Sequence, residues 1–349
     1  MILSIQYLRF LAAVLVVFYH GTQSLANDLN SEIFETWKIG ARGVDIFFVI
    51  SGFIIVLVTE RSQDTPAQFL ARRLWRVAPI YYAATLAMLS VALAAPSLLA
   101  STRIEADHVI ASFLFIPFDH PVAFSTFPLL PVGWTLNAEV QFYVFYASML
   151  FLSPKFRVLS VTILIICVVL LGVLFQPDNA TFSAWTAPTL IEFIFGMILG
   201  KLWYHLPIAK NPRLEIVLSL VVLFIGFSGL FLIPGELTSG VLQRDMRWLL
   251  AGVPAMAIVC GFLLLERQSI IPKIALLRLL GDASYSLYLC HFFVIGLMRA
   301  LWPLDWKGFL FGEVGFLVSI VTLSLVGSLV LYILFERPVN QYRFFRMVK

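Results

Sequence analysis

Two ionisable side chains, Arg9 and His20, lie in the first apolar segment of the chain, residues 4–22, which reads SIQYLRFLAAVLVVFYHGT. A cation at bilayer depth costs about 2.5–3.5 kcal/mol on insertion scales, so such residues face a protein interior and mark a substrate or proton path. Eleven helical steps of about 100° make three turns plus about 20°, which keeps both side chains on one face, roughly 16 Å apart along the axis. One stripe thus serves a single cavity at two depths. A guanidinium there can hold an anionic group, and an imidazole can take or give a proton near neutral pH.

Three further groups of residues have matching chemistry. The second apolar segment opens GVDIFFVISGF and places Asp45 near the depth of His20. A carboxylate accepting one imidazole N–H fixes the tautomer and raises the basicity of the other nitrogen, so the expected pair is His20 with Asp45. The plainer role for Asp45 is a carboxylate at a helix N-terminus, favoured by the dipole. Ser51 and Gly52 follow in the same segment and are expected to let helices approach closely. Before the third segment, FLARRLWRVAPIYY carries Arg72, Arg73 and Arg76. Arg73 and Arg76, at i and i+3, share a helix face and offer two guanidinium forks to a phosphate. Anchoring to anionic lipid headgroups is the alternative use of the same cluster.

The third group is Trp134, Asn137, Glu139 and Tyr143 in PVGWTLNAEVQFY. Aromatic rings that stack on sugar faces, with amide and carboxylate groups for the hydroxyls, make the lining of a carbohydrate site. Trp and Tyr also collect at membrane interfaces for physical reasons alone. Glu139 discriminates, because a carboxylate at that depth needs a partner or a cavity. On SYSLYLCH, neighbouring helix positions point about 100° apart, so Cys290 and His291 cannot act as a dyad. Ser284, Tyr285, Ser286, Tyr288 and His291 are expected to bond neighbouring helices, and His108, His120 and His205 to be solvated. Zinc-protease, nucleophile-elbow, P-loop and dinucleotide motifs do not occur.

These residues must be positioned by membrane helices. The 349 residues are 60% hydrophobic and 13% charged, with mean hydropathy +0.94. Such a chain is all-α and polytopic, since only helices or closed barrels satisfy the backbone in lipid. Ten spans are expected, near 4–22, 43–60, 77–97, 132–152, 157–175, 187–203, 214–233, 246–265, 282–302 and 309–335. With a cytoplasmic N-terminus, most of the 24 basic residues fall in inner loops and the tail, so both termini are expected in the cytoplasm. The net charge of +4 then reports orientation and excludes a nucleic-acid partner as its cause. The first segment lacks a basic stretch ahead of its apolar run and is read as a retained helix. Cys167, Cys260 and Cys290 all fall inside spans, so neither a disulfide framework nor a metal cluster is expected. Residues 1–349 are expected to form one membrane domain, with no fused soluble domain.

Taken in order, Arg with ten residues before His, then FFVISGF, Arg-x-x-Arg, WTLNAEVQFY, EFIFGM, ASYSLYLCH and FERP closely resemble the acyltransferase 3 family from end to end. The opening SIQYLRFLAA and PVGWTLNAE look most like its branch that acetylates bacterial exopolysaccharides. Gln6 and Tyr7 stand where the family often has Asp-Gly, and Ala138 where an aromatic is frequent. The resemblance implies a multi-pass enzyme of the bacterial inner membrane. Its donor would be acetyl-CoA, its acceptor a sugar hydroxyl of an exported or cell-surface polysaccharide, and its neighbours the polysaccharide biosynthesis machinery. Arg9 and His20 match the family's essential pair, and Arg73 and Arg76 its arginine motif on the acyl-CoA side.

The expected mechanism places the phosphates of acetyl-CoA on Arg72, Arg73 and Arg76 and runs the pantetheine arm past Arg9. His20, oriented by Asp45, then takes the proton of the attacking hydroxyl, with Trp134 and Glu139 positioning the sugar. The alternative function is a polysaccharide or lipid-linked sugar transporter without acyl-transfer chemistry. Internal repeats and helices broken at matching positions of two halves are the usual marks of such transporters, and neither is present.

Overall fold

The computed structural model describes residues 2–31, 33–95, 104–121, 125–205, 211–233, 246–303 and 309–341. Its helices, in chain order, are α1 (Leu3–Gln23), α2 (Gly43–Thr59), α3 (Pro66–Ala94), α4 (Ala106–Phe113), α5 (Trp134–Ser148), α6 (Pro154–Phe175), α7 (Ala180–Trp185), α8 (Ile191–His205), α9 (Pro212–Leu232), α10 (Val253–Arg267), α11 (Ala275–Asp282), α12 (Ser284–Leu301), α13 (Leu310–Leu331) and α14 (Arg337–Gln341). There is no strand among the described residues. Nine helical stretches among them are long and apolar enough to cross a bilayer, and they coincide with nine of the ten expected spans.

The tenth, expected over 132–152, is the exception. There the α-helix is α5 alone, fifteen residues entered through a 3-10 turn at Pro131–Gly133. It stops at Ser148 because buried Arg157 captures the carbonyls beyond it, donating to Leu150 O at 3.2 Å and Leu152 O at 3.1 Å. At about 22 Å this helix is short for a lipid span, but it is enclosed by protein and runs parallel to α2. The contacts between the two climb in register. The Phe48 and Trp134 rings are 6.2 Å apart, Ser51 Oγ donates to Glu139 Oε1 at 2.7 Å, and the Thr59 and Tyr146 hydroxyls meet at 2.7 Å.

α2 is the axis of the bundle, buried along most of its length, whereas α6 and α9 turn mostly apolar surface outward. Its tightest neighbour is α8. A Cβ on Gly52 would sit 2.2 Å from Phe193 O, and one on Gly196 would sit 2.0 Å from Val49 O. Only glycine permits backbones this close, which is how helices associate without a hydrophobic driving force. The expected packing role of Gly52 is therefore observed. α1 lies against α2, α11, α12 and α13, with its start fixed by Glu266. That carboxylate accepts from Leu3 N at 3.0 Å and Ser4 N at 2.8 Å, an anion set on a helix N-terminus. Tyr7, at one of the departures from the family pattern, donates to Pro272 O at 2.6 Å and ties α1 to the segment before α11. α3 begins with a capping box between Thr65 and Gln68 and has Pro66 at its first position.

Candidate active site

α1, α2, α3, α5 and α12 line a partly open cavity, with about 810 Å³ of atom-free space including its open mouth. Its polar lining is Arg9 from α1, Ser51 from α2, Arg73 and Arg76 from α3, Thr135, Glu139 and Tyr143 from α5, and Tyr285 and Tyr288 from α12. Phe47, Phe48, Ile50, Ile54, Ile55 and Val77 supply the apolar walls. The lining residues of α2 run from Val44 to Ile55, so the space extends roughly 16 Å along that helix. Three guanidiniums face one carboxylate in this space. Glu139 is satisfied as its depth demands, with Oε1 accepting from Tyr143 Oη at 2.6 Å and Ser51 Oγ at 2.7 Å. Ser51 thus serves the cavity, beyond the packing role expected for it. Gln6, the other departure from the family pattern, accepts from Arg9 Nη1 at 3.3 Å and steadies that side chain.

Arg72 does not join the other two arginines. One position from Arg73, it points about 100° away and makes an ion pair with Asp64, its side chain 45% exposed. The expected three-arginine cluster is therefore two residues of α3 completed by Arg9 of α1.

His20 is absent from the cavity lining, about three turns along α1 from Arg9. Its expected partner is also different. Asp45 gives both oxygens to Arg247, at 2.8 Å from Nε and 2.8 Å from Nη2, while Arg247 also donates to Ala41 O at 3.2 Å. Buried Glu192 lies beside this pair. Equal depth brought Asp45 and His20 to the same end of neighbouring helices but not to the same side of α2. His20 instead meets His291 of α12, Nδ1 to Nε2 at 3.0 Å, with the ring centroids 5.1 Å apart and the planes 26° apart, the nearly coplanar arrangement of an N–H···N bond. His291 in turn lies 6.0 Å, between ring centroids, from Tyr288, which lies 5.9 Å from Phe47. Phe47 and Tyr288 both line the cavity, so these two rings separate it from the histidine pair.

The expected sugar-stacking residues divide. Tyr143 and Glu139 line the cavity. Trp134 does not, and one face of its ring carries the Arg247 guanidinium 5.8 Å from its centroid, a cation–π contact. Asn137 is buried outside the lining, with neither amide atom hydrogen-bonded. His108, expected to be solvated, is buried and bonds Phe127 O at 2.8 Å, whereas His205 is exposed. Sequence reasoning gave no site role to Tyr285, Tyr288 or His291. Their i, i+3, i+6 spacing puts them on one stripe of α12, and that was the available signal. Arg247 had none.

A family model described as an acyltransferase domain matches residues 2–333. The chain is 37% identical over 262 residues to the exopolysaccharide production protein ExoZ of Rhizobium meliloti, covering 75% of this chain and 78% of that one. It is 27% identical over 317 residues to the O-acetyltransferase OatA of Staphylococcus aureus, covering 82% of this chain but 49% of OatA, so it spans about half of that relative's length. The acyltransferase MdmB of Streptomyces mycarofaciens is 24% identical over 318 residues, 84% of this chain and 78% of that protein. No solved structure matches. A match spanning nearly every described helix, including all five that wall the cavity, identifies the chain as a member of the acyltransferase 3 family and as an O-acyltransferase.

Proposed function

We propose that this O-acyltransferase takes an acetyl group from acetyl-CoA in the cytoplasm and places it on a hydroxyl of an exported or cell-surface polysaccharide, working in the bacterial inner membrane. The carrying observation is the cavity, whose lining holds Arg9, Arg73 and Arg76 against a single carboxylate, Glu139, with Ser51, Thr135 and apolar and aromatic side chains making up the rest. The excess positive charge suits the phosphates of a nucleotide thioester, and guanidinium forks bind phosphate oxygens in pairs. The long apolar wall suits an acyl-pantetheine arm. The carbohydrate acceptor and the neighbouring biosynthetic machinery are drawn from the name of the exopolysaccharide relative.

In this reading the donor enters from the face that holds the start of α1, its phosphates on Arg73 and Arg76. The thioester passes Arg9 and reaches His20 as Phe47 and Tyr288 part. The sugar hydroxyl attacks the thioester carbonyl. A C–O bond forms, the C–S bond breaks, and His20 Nε2 takes the hydroxyl proton and returns it to the CoA thiolate. The products are the O-acetyl sugar and CoA–SH.

The test is the O-acetyl content, by proton NMR, of extracellular polysaccharide from a deletion strain complemented with wild type, His20→Ala or Arg73→Ala at matched protein levels. Acetyl signals restored by wild type and not by the variants support the reading. Unchanged acetylation with altered polysaccharide export would overturn it in favour of a transporter.

A further inference from the structure

We infer that His291 is a positioning residue that sets the tautomer of His20, through a directed chain of three groups. The inference rests on the acyl-transfer reading above. The chain starts at Leu287, whose backbone carbonyl can only accept. His291 Nδ1 lies 3.2 Å from that oxygen, one helical turn back along α12, and therefore carries its proton there. A neutral imidazole with the proton on Nδ1 presents a bare lone pair on Nε2. Facing that lone pair at 3.0 Å is His20 Nδ1, which must in turn be the protonated nitrogen. The last lone pair in the sequence is then His20 Nε2, the atom that takes the hydroxyl proton.

The surroundings keep the chain in one direction. His291 is fully buried, closed in by Tyr288 on one side and Phe292 on the other, so water does not compete for its nitrogens. The His20 ring is held by its bond to His291, by the edge of Phe292 at 6.2 Å and by Tyr19 at 4.8 Å, and the Val16 carbonyl on its own helix is a second acceptor for its ring proton. An isolated imidazole in water favours the proton on Nε2, which would leave the wrong nitrogen free. Here a neutral histidine does what a carboxylate does in catalytic triads, ordering the ring and its tautomer. Unlike a carboxylate, it adds no charge to a membrane interior, where Asp45 is already committed to Arg247.

Two measurements on the purified full-length chain in nanodiscs test this. The first is ¹⁵N NMR of histidine-labelled wild type, with His20 assigned by difference from His20→Gln. A proton on Nδ1 of His20 and His291 is expected, and a proton on His20 Nε2 overturns the inference. The second is kinetics with acetyl-CoA and chemically deacetylated exopolysaccharide of the source strain. His291→Ala is expected to lower kcat roughly 10- to 100-fold, less than the roughly 10²–10⁴-fold of a lost general base because His20 itself remains, with KM for acetyl-CoA unchanged. His291→Gln, whose amide oxygen can reach the same place and accept, should recover most of that loss. Full activity in His291→Ala, or no recovery in folded His291→Gln, overturns the inference. Wild type that transfers no acetyl group overturns the underlying functional reading instead, and the NMR result stands apart from it.

Discussion

Adjacent arginines on α3 have different surroundings, and that difference is measurable. Arg73 and Arg76 line the cavity, while Arg72 is turned outward onto Asp64. A charge-assisted hydrogen bond contributes about 1.5–3 kcal/mol, and each 1.4 kcal/mol is tenfold in affinity. Arg73→Ala and Arg76→Ala should therefore each raise KM for acetyl-CoA about tenfold or more with little change in kcat. Arg72→Ala should stay within about twofold. Steady-state kinetics on the three variants check this. At this scale the sequence was legible wherever depth and face sufficed. Arg9, Arg73, Arg76, Glu139 and Tyr143 all reach one cavity, as their positions in single helices suggested. It was illegible wherever the partner lies far along the chain. Asp45 bonds a residue 202 positions away and His20 one 271 positions away, and periodicity within one segment holds no record of either. Equal depth was mistaken for contact. Arg42 and Arg157 were hidden for a related reason. They lie at predicted span ends and read as surface cations, yet both are buried with guanidiniums capping the carbonyl ends of other helices.

Among the helices, the α2–α8 seam holds the front wall of the cavity in place, because α2 carries Phe47 and Ser51 into the cavity while Phe48, also in the wall, packs on Phe193 of α8 at 4.7 Å between ring centroids. Gly196→Leu would put a side chain 2.0 Å from Val49 O and push the helices apart. Overpacking of this kind costs about 1–3 kcal/mol or more, so the purified variant should melt well below wild type by light scattering. Gly296→Ala is the matched control. A Cβ there meets nothing within 4 Å, and alanine is the better helix former, so stability should hold or rise slightly. Hydropathy located nine helices correctly because each holds an apolar run of at least 18 residues, whether it faces outward like α6 or is buried like α2. It overextended α5 because that helix is sheltered by protein and ends on side-chain captures of its carbonyls, which an apolar run does not reveal.

At the scale of the whole molecule, the nine long helices among the described residues and the sheltered α5 make ten passes if each traverses the bundle. An even number returns the chain to the side where it began. Reporter fusions or cysteine labelling at residues 2 and 349 should therefore find both on the cytoplasmic face, and opposite sides would show that one pass is missing. The aromatic wall has a further consequence, for the cell's energy supply. A membrane that stores a proton gradient cannot tolerate an enzyme that is also a wire, and a cavity lined by Glu139 and several hydroxyls, ending near a pair of imidazoles, has most of the parts of one. Phe47 and Tyr288 stand between them as insulation. Replacing both with alanine should make proteoliposomes that carry the folded, monodisperse fraction of the variant leak protons, seen as faster collapse of an imposed gradient with an internal pH-sensitive dye. The two rings would then be retained less for what they bind than for the current they block.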